Sequence, residues 1–184
     1  MNTTEVSGPI INYKRFGKFK IRHVLPSDNE PIKKLILEVW RELKADKHHL
    51  SDPELDNMFE AYHEEKSAFW VLTVNDKIIG TIGIQPLRTN RQIGCELKKF
   101  YIKKSWRGFG MGWELIECCL AKARELKYQE CYLETDSSLK RAGKIYERLG
   151  FVPIAEGVAL PFTKYRWHKK NLINHDHEKN FKNE

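Results

Sequence analysis

One stretch of the sequence, residues 95–112, joins an irregular strand pattern to a glycine-rich turn and the start of a helix. Its apolar positions are Leu97, Phe100 and Ile102, so the spacing is three residues and then two, whereas a regular strand alternates every two residues. A slip of one residue within an extended segment is typical of a β-bulge. We therefore predict a bulge that leaves backbone groups near residues 99–101 without strand partners, where they can bind a ligand.

Three glycines follow this strand at alternate positions, directly ahead of a helical pattern: Gly108, Gly110 and Gly112. Glycine allows the backbone to curl tightly and to turn its N–H groups toward one point. The helix adds its own unpaired N–H groups and the positive end of its dipole. Together these features predict an anion site, for which a pyrophosphate is the best fit.

Two common nucleotide turns do not fit this spacing. The dinucleotide-binding G-x-G-x-x-G motif needs a third glycine where Trp113 stands. The phosphate-binding loop of ATPases, counted from Gly108, needs Gly and Lys at the positions of Trp113 and Glu114. Both motifs are therefore excluded.

Length and charge indicate one soluble domain with an anionic partner. The 184 residues suffice for one sizeable core, and the net charge of +7 favours an anion. No apolar run approaches the roughly 20 residues of a membrane helix, and we expect no signal peptide. We predict a flexible lead-in over residues 1–17, one domain over residues 18–168 and a polar, disordered tail over residues 169–184.

The cysteines and histidines do not form metal or disulfide patterns. None of the four cysteines has CxxC spacing, which predicts reduced thiols, a cytoplasmic location and no metal site. No histidine pattern accompanies them, so a nucleophilic cysteine is not supported. His48 and His49 lie in a predicted loop, where solvated side chains are the simpler interpretation.

Alternating strand and helix patterns predict an α/β fold. The strand over residues 131–135 follows a helix after the bulged strand, so the two strands should be parallel neighbours in a right-handed βαβ unit. We expect a central mixed sheet of about six or seven strands with helices on both faces. The other predicted elements are a strand over 19–24, a helix over 32–43, a helix from Ser51, a hairpin over 68–84, a helix over 137–149 and strands over 151–154 and 162–167.

Two motifs on this framework carry a resemblance to a known family. The first is Arg107-x-x-Gly110-x-Gly112 after the bulged strand, and the second is Ala142-x-x-x-Tyr146-Glu-Arg-Leu-Gly-Phe151. In these motifs, and in element order from about residue 19 to 167, the chain resembles the Gcn5-related N-acetyltransferase (GNAT) superfamily. The resemblance implies a GNAT-like acyl-CoA N-acyltransferase fold and an enzyme that transfers an acetyl group from acetyl-CoA to a primary amine, by direct attack in a ternary complex.

The resemblance also implies the site. The backbone of Phe100, Tyr101 and Ile102 would bond pantetheine, and an N–H beside Phe100 would polarise the acetyl carbonyl. Tyr146 would protonate the leaving thiolate, unless it is simply a packed core aromatic. The base would be Glu96 or a water chain, with Glu134 weaker; the alternative for Glu96 is a surface carboxylate paired with Lys98. The pyrophosphate would be held by the backbone of Arg107, Gly108, Phe109, Gly110, Met111 and Gly112.

Two residues depart from the family pattern, and the acceptor is not named. Leu139 stands where many members have an asparagine that bonds pantetheine, so that contact would come from Ser137 or Ser138. Trp113 is large for the first turn of the phosphate helix. The acidic stretch 52–65, on the side where the family builds its acceptor site, suggests a cationic acceptor: a small molecule, an amino acid or a peptide lysine.

The expected partners are thus acetyl-CoA and an amine, with no nucleic acid, membrane or metal, in a monomer or homodimer. One rival is a CoA-binding sensor of the same fold without turnover. The other rival is a nucleic-acid-binding domain. It is disfavoured because the lysines are interspersed with acidic residues and no recognition-helix or aromatic-platform motif is present.

Overall fold

The structure is a computed structural model and describes residues 7–13, 17–43, 52–87, 94–136, 139–154 and 166–173. The chain divides into two compact units. The first comprises residues 1–85 and 97–119, and the second comprises residues 86–96 and 120–184.

The described residues form eight strands and four α-helices, which confirms the predicted α/β fold with a mixed sheet. Short 3-10 helices lie at Pro26–Asp28, Pro53–Asp56 and Lys104–Trp106. The elements are β1 (Ser7–Tyr13), β2 (Gly17–His23), α1 (Asn29–Leu43), α2 (Met58–Ala61), β3 (Ala68–Val74), β4 (Lys77–Pro86), β5 (Gly94–Ile102), α3 (Met111–Glu125), β6 (Glu130–Thr135), α4 (Lys140–Arg148), β7 (Val152–Pro153) and β8 (Arg166–Asn171).

In the first unit the strands are adjacent in the order β1-β2-β3-β4-β5. The pairs β1/β2, β2/β3 and β3/β4 are antiparallel. Asn75 and Asp76 join β3 to β4 with φ of +46° and +59°, the left-handed pair that a two-residue type I′ hairpin requires. The hairpin predicted from Asn75-Asp76 is therefore confirmed.

Helices cover both faces of the sheet in this unit. On one face, α1 buries Ile32, Leu35, Ile36 and Val39, each no more than 3% exposed, in a cluster that includes Val71 of β3. Leu43, the last residue of the apolar stripe that the sequence predicts, is 38% exposed at the end of α1. On the other face, α3 approaches β4 closely. A Cβ added at Gly80 would lie 3.4 Å from the Leu115 side chain and 3.2 Å from that of Ile102. The close packing of α3 on β4 thus depends on a small residue at position 80.

In the second unit the neighbouring strands of the sheet are β5, β6, β8 and β7, in that order, and β5 contributes only its first residues. The strands β6 and β8 pair antiparallel with Leu133 opposite His168, and β7 pairs antiparallel with β8. Gly94 passes the ring of Tyr132 so closely that a Cβ there would lie 2.9 Å from it. As predicted, β6 lies beside β5 in the sheet, and α3 connects them.

The structure extends regular pairing beyond the predicted domain limits. Strand β1 lies within the expected lead-in, and β8 continues to Asn171, past residue 168 where the tail was expected to begin. Leu172 is only 5% exposed, and its N–H donates to the Gln129 carbonyl. The reason is that strand pairing uses backbone groups, which any residue supplies, so polar segments can join a sheet.

The helix predicted from Ser51 is wrong in length. Residue 51 lies outside the described residues, and the chain after it forms a 3-10 turn capped by Asp52, whose side chain accepts from the Glu54 N–H at 3.1 Å. Only the four residues of α2 then follow as α-helix. Of the predicted stripe Leu55, Met58, Phe59 and Tyr62, three residues are nevertheless buried and Phe59 is partly buried against the same cluster, because two short turns present these side chains as well as one helix does.

None of the four cysteines, all of which lie among the described residues, forms a disulfide. In the described part of the chain, no helix combines the length and the apolar character needed to cross a membrane.

Candidate active site

The irregularity predicted in the bulged strand lies at Lys99. This residue has φ of +54° within β5, a left-handed conformation that residues other than glycine rarely adopt. As a result, consecutive lysines reach one carboxylate: Lys98 Nζ lies 2.7 Å from Glu54 Oε1, and Lys99 Nζ lies 2.7 Å from Glu54 Oε2. In a regular strand consecutive side chains point to opposite faces, so the shared partner follows from the bulge.

One side-chain and one backbone hydrogen bond join the bulged segment to β4. The hydroxyl of Thr81, which is 0% exposed, donates to the Lys99 carbonyl at 2.7 Å. Four residues later the Lys103 N–H donates to the Ile79 carbonyl at 2.9 Å. A side-chain hydroxyl thus satisfies a carbonyl at the bulge, and a backbone bond joins the two segments again beyond it.

The Lys99 side chain is 7% exposed and bonds two carboxylates, Asp52 and Glu54. Burial by itself would lower the pKa of Lys99, but the hydrogen bonds to Asp52 and Glu54 raise it above its ordinary value. For Glu54, burial favours a higher pKa, and the bonds from Lys98 and Lys99 overcome this and lower it. Lys99 and Glu54 are therefore both charged at neutral pH, and two carboxylates face two lysines in this cluster.

The glycine turn has the conformation that its sequence predicts. Gly108 and Gly110 have φ of +88° and +84°, and Gly112 lies inside α3. A Cβ at Gly108 would meet nothing within 4 Å, so its glycine serves the backbone angle rather than close packing. The ladder of α3 begins at the Gly110 carbonyl, which accepts from the Trp113 N–H at 2.9 Å. The turn therefore leads directly into the N-terminus of a 15-residue helix, a geometry suited to an anion.

Arg107 braces the turn within the protein. Its guanidinium donates to both Glu42 oxygens at 2.8 and 2.9 Å, and its Nε donates to the Ile102 carbonyl at 2.7 Å. Lys103 similarly pairs with Glu38 of α1 at 3.1 Å. Four basic residues of this segment are thus matched by carboxylates of α1 or of the 52–54 turn: Lys98, Lys99, Lys103 and Arg107.

Tyr101 places its side chain in the core and its backbone in the bulged strand. The phenol oxygen accepts from Trp40 Nε1 at 2.9 Å, and the two rings meet edge to face. Burial raises the pKa of Tyr101 above its ordinary value, although the Trp40 hydrogen bond opposes this. Its side chain therefore anchors β5 to α1, in agreement with a role for its backbone alone.

In the second unit, Tyr146 is fixed by the end of α4. The Phe151 N–H donates to the Tyr146 carbonyl and the Gly150 N–H to the Glu147 carbonyl, both at 2.9 Å, with Gly150 at φ of +80°. This is a Schellman motif, and the expected apolar contact is present because the rings of Tyr146 and Phe151 meet at 5.9 Å. The Y-E-R-L-G-F motif thus encodes both the helix end and the placement of a tyrosine that is 5% exposed.

The structure groups the predicted site residues by unit. Phe100, Tyr101 and Ile102 lie in the first unit with the turn 107–112, whereas Glu96, Glu134 and Tyr146 lie in the second. Ser137 and Ser138 lie outside the described residues. Lys98, which the sequence suggested as a partner for Glu96, bonds Glu54 and Gln85 instead.

Sequence reasoning missed the roles of Asp52, Glu54 and Thr81. The acidic stretch was interpreted as an acceptor surface, yet its first two carboxylates neutralise Lys98 and Lys99. The opposite charges of the acidic stretch and of Lys98 and Lys99 could have suggested pairing, but their separation of more than 40 residues gave no register. Within the described ranges, no cluster of His, Cys, Asp or Glu could hold a metal ion.

Comparison with known proteins decides the family. The sequence profile described as "Acetyltransferase (GNAT) family" matches residues 32–151, from α1 to the end of the Schellman motif. The chain belongs to the GNAT acetyltransferase family. It is accordingly an N-acetyltransferase-type enzyme, as the resemblance predicted.

Individual GNAT relatives and structures agree with this. The chain is 37% identical over 134 residues to "Uncharacterized N-acetyltransferase YjgM" of Escherichia coli K12, covering 71% of this chain and 80% of that protein. A GNAT-family acetyltransferase from Staphylococcus aureus Mu50 matches with a TM-score of 0.73 at 26% identity, over 84% of this chain and 99% of the other. The structure of yncA from Salmonella typhimurium with acetyl-CoA matches with a TM-score of 0.63 at 18% identity, over 86% and 96%; this likeness shows the GNAT fold.

Proposed function

We propose that the protein transfers the acetyl group of acetyl-CoA to a primary amine, by direct attack within a ternary complex. The observation that carries the proposal is the conjunction, in one unit, of the Lys99 bulge with a turn whose two left-handed glycines lead into α3. Exposed strand backbone suits an amide-rich arm such as pantetheine, and the helix N-terminus suits a pyrophosphate. The yncA structure, which holds acetyl-CoA, supports the same co-substrate here.

In this proposal the backbone supplies most of the binding. The strand groups of Phe100, Tyr101 and Ile102 bond the pantetheine arm, and Ser138 replaces the asparagine contact that Leu139 cannot make. An N–H beside Phe100 polarises the thioester carbonyl. The pyrophosphate is held by the backbone of Arg107, Gly108, Phe109, Gly110, Met111 and Gly112. Arg107 contributes by fixing the turn, since its guanidinium is already bonded to Glu42.

The chemistry needs one nucleophile, one base and one acid. The amine attacks the carbonyl carbon, a C–N bond forms, and the C–S bond breaks with release of CoA thiolate. Glu96, directly or through water, takes a proton from the bound ammonium and so frees the nitrogen lone pair for attack, and Tyr146 donates a proton to the leaving sulfur. The Schellman motif supports the role of Tyr146 because it fixes the backbone at this residue and packs its ring against Phe151.

The acceptor is an amine, and the Asp52–Glu54 turn does not select for its charge. Both carboxylates of that turn are paired with lysines, and Asp56 is paired with Lys33, so Glu60, Glu64 and Glu65 are the candidates for attracting a cationic amine. A preference for anionic amines across a panel of small amines, amino acids and peptides would exclude this. Monomer or homodimer and a cytoplasmic location both stay predictions from the sequence.

Binding of acetyl-CoA can be tested apart from turnover. The Gly110→Trp variant places a large side chain in the turn at φ of +84°, and we expect it to lose acetyl-CoA binding in calorimetry while its circular dichroism is unchanged. Gly150→Ala is the matched control, since position 150 has φ of +80° outside the turn; it should retain the affinity. Unchanged affinity in Gly110→Trp would mean that the turn is not the pyrophosphate site.

A further inference from the structure

The peptide group between Lys99 and Phe100 is held by a side chain whose role the proposed function does not include. Thr81 is 0% exposed and lies on β4, and its hydroxyl donates to the Lys99 carbonyl at 2.7 Å. A buried carbonyl needs such a partner, because leaving it unbonded is unfavourable. The bond therefore determines where the Lys99 carbonyl points.

The same bond determines where the Phe100 N–H points. The peptide is planar and trans, since none of the described peptide bonds is cis, and in a trans peptide the C=O and N–H point in opposite directions. With the Lys99 carbonyl directed at Thr81, the Phe100 N–H is directed to the opposite side of the strand. The proposed function assigns the thioester carbonyl to an N–H at this point of the strand.

A second anchor prevents the peptide from rotating. At φ of +54° Lys99 occupies a conformation that is unfavourable for a residue with a side chain. Its ammonium, bonded to Asp52 and Glu54, holds the side chain in place at 7% exposure. The peptide is thus fixed through its carbonyl by Thr81 and through the preceding residue by two carboxylates.

We propose that Thr81 is a positioning residue for acetyl transfer: its hydroxyl aims the Phe100 N–H at the thioester carbonyl by holding the other end of the same peptide group. The inference rests on the proposed function and adds to it a residue that touches neither co-substrate. Preorganised donors are effective in catalysis because no reorientation is needed as charge develops on the oxygen. Thr81 would supply that preorganisation.

The chain offers a matched control in Thr73. It lies on β3, is 4% exposed, and its hydroxyl also bonds a backbone carbonyl, that of Lys20, at 3.3 Å. Thr73→Val and Thr81→Val therefore remove the same group from the same kind of bond in the same unit. If the Thr81 hydroxyl only stabilised the fold, the two variants would have the same C=O stretch of bound acetyl-CoA and the same kcat.

The experiment measures the bound thioester directly. Isotope-edited infrared spectra of acetyl-CoA labelled with ¹³C at the carbonyl should show a lowered C=O stretch on binding to the wild type, to Thr73→Val and to Thr81→Ser. In Thr81→Val that lowering should be lost. With an amine acceptor, kcat of Thr81→Val should fall about tenfold to a hundredfold, while KM for acetyl-CoA changes by less than about threefold.

The outcomes separate this inference from the proposed function. If Thr81→Val keeps the wild-type stretch and kcat, or if Thr73→Val loses them equally, Thr81 does not position the donor and the inference is overturned. If the wild type itself fails to bind acetyl-CoA, the proposed function is overturned and the inference with it. Should Thr81→Val not fold, Thr81→Ala removes the same hydroxyl, with Thr73→Ala as its control.

Discussion

The Lys99 ammonium lies 2.7 Å from the Glu54 carboxylate, and the lysine side chain is 7% exposed. Lys99 is also the left-handed residue of the bulged strand. A buried ion pair of this kind contributes little net stability, but removing one partner leaves an uncompensated charge and is strongly unfavourable. The pair therefore ties the conformation of the bulge to the 52–54 turn.

Glu54→Gln should lower the free energy of unfolding by about 2 kcal/mol, because Lys98 and Lys99 both lose a charged partner while Asp52 still compensates Lys99. Urea denaturation at neutral pH measures this. Asp56→Asn is the control: its partner Lys33 is 36% exposed and Asp56 itself 76% exposed, so solvent screens the pair and the free energy of unfolding should change much less than in Glu54→Gln. Equal effects of the two variants would contradict the structural role of the cluster.

The same pair predicts a pH dependence with a definite sign. The pKa of Glu54 is lowered below 4.5 in the folded protein, so its stabilisation is fully present above pH 4.5 and is lost as the pH falls through the lowered folded pKa. The stability difference between the wild type and Glu54→Gln should therefore narrow between neutral pH and about pH 3. Denaturation curves at both pH values measure it, and a constant difference would show that Glu54 does not titrate as described.

Arg107 and Glu42 should act together on acetyl-CoA affinity. Arg107→Lys loses the paired hydrogen bonds and the bond to the Ile102 carbonyl, so affinity should fall about tenfold as the turn loosens. Glu42→Gln should also weaken binding, by about threefold, and the double variant should be less than additive. Calorimetric titration measures all three.

Glu38→Gln is the control for this series, because Glu38 lies on the same helix as Glu42, pairs with Lys103 and is 52% exposed. The acetyl-CoA affinity of this variant should be unchanged. Tighter binding by Glu42→Gln would instead mean that Arg107 acts on the phosphates as a cation that Glu42 holds back.

Tyr146→Phe should lower turnover by about 10²-fold or more, the usual contribution of a general acid, and change acetyl-CoA affinity little. The ring contact with Phe151 is kept in this variant, so the Schellman motif should persist. Tyr128→Phe is the control in the same unit, as Tyr128 is 6% exposed and has no proposed role. If Tyr146→Phe turns over as fast as the control, Tyr146 is not the acid.

The sequence predicted those parts of the fold that depend on local patterns. The α1 stripe, the Asn75-Asp76 hairpin and the Gly150 helix end each follow from periodicity or from a left-handed residue within a few positions. The bulge was also predictable, because a slip in alternation is local. Strand β1 and the end of β8 were not, since backbone pairing leaves little trace in side-chain pattern.

The sequence predicted the conformations of the bulge and of the glycine turn, which neighbouring residues determine. It did not predict the contacts between side chains that are distant in the sequence. Thr81 and Lys99 are 18 residues apart, and Glu54 and Lys99 are further still. Nothing in a single sequence fixes the register that brings a particular hydroxyl or carboxylate to the bulge. The acidic stretch therefore suggested a ligand surface, whereas in the fold its first two members bind lysines.

Acetyl transfer to an amine is tested most directly by measuring amine-dependent release of CoA thiol from acetyl-CoA. The wild type is assayed over a panel of small amines, amino acids, polyamines and peptides, with Gly110→Trp as the variant that should not bind. We expect thiol release that requires an amine and disappears in Gly110→Trp, with the N-acetyl product formed in an amount equal to the thiol. Tight binding of acetyl-CoA without amine-dependent release across the panel would contradict it and indicate a CoA-binding sensor.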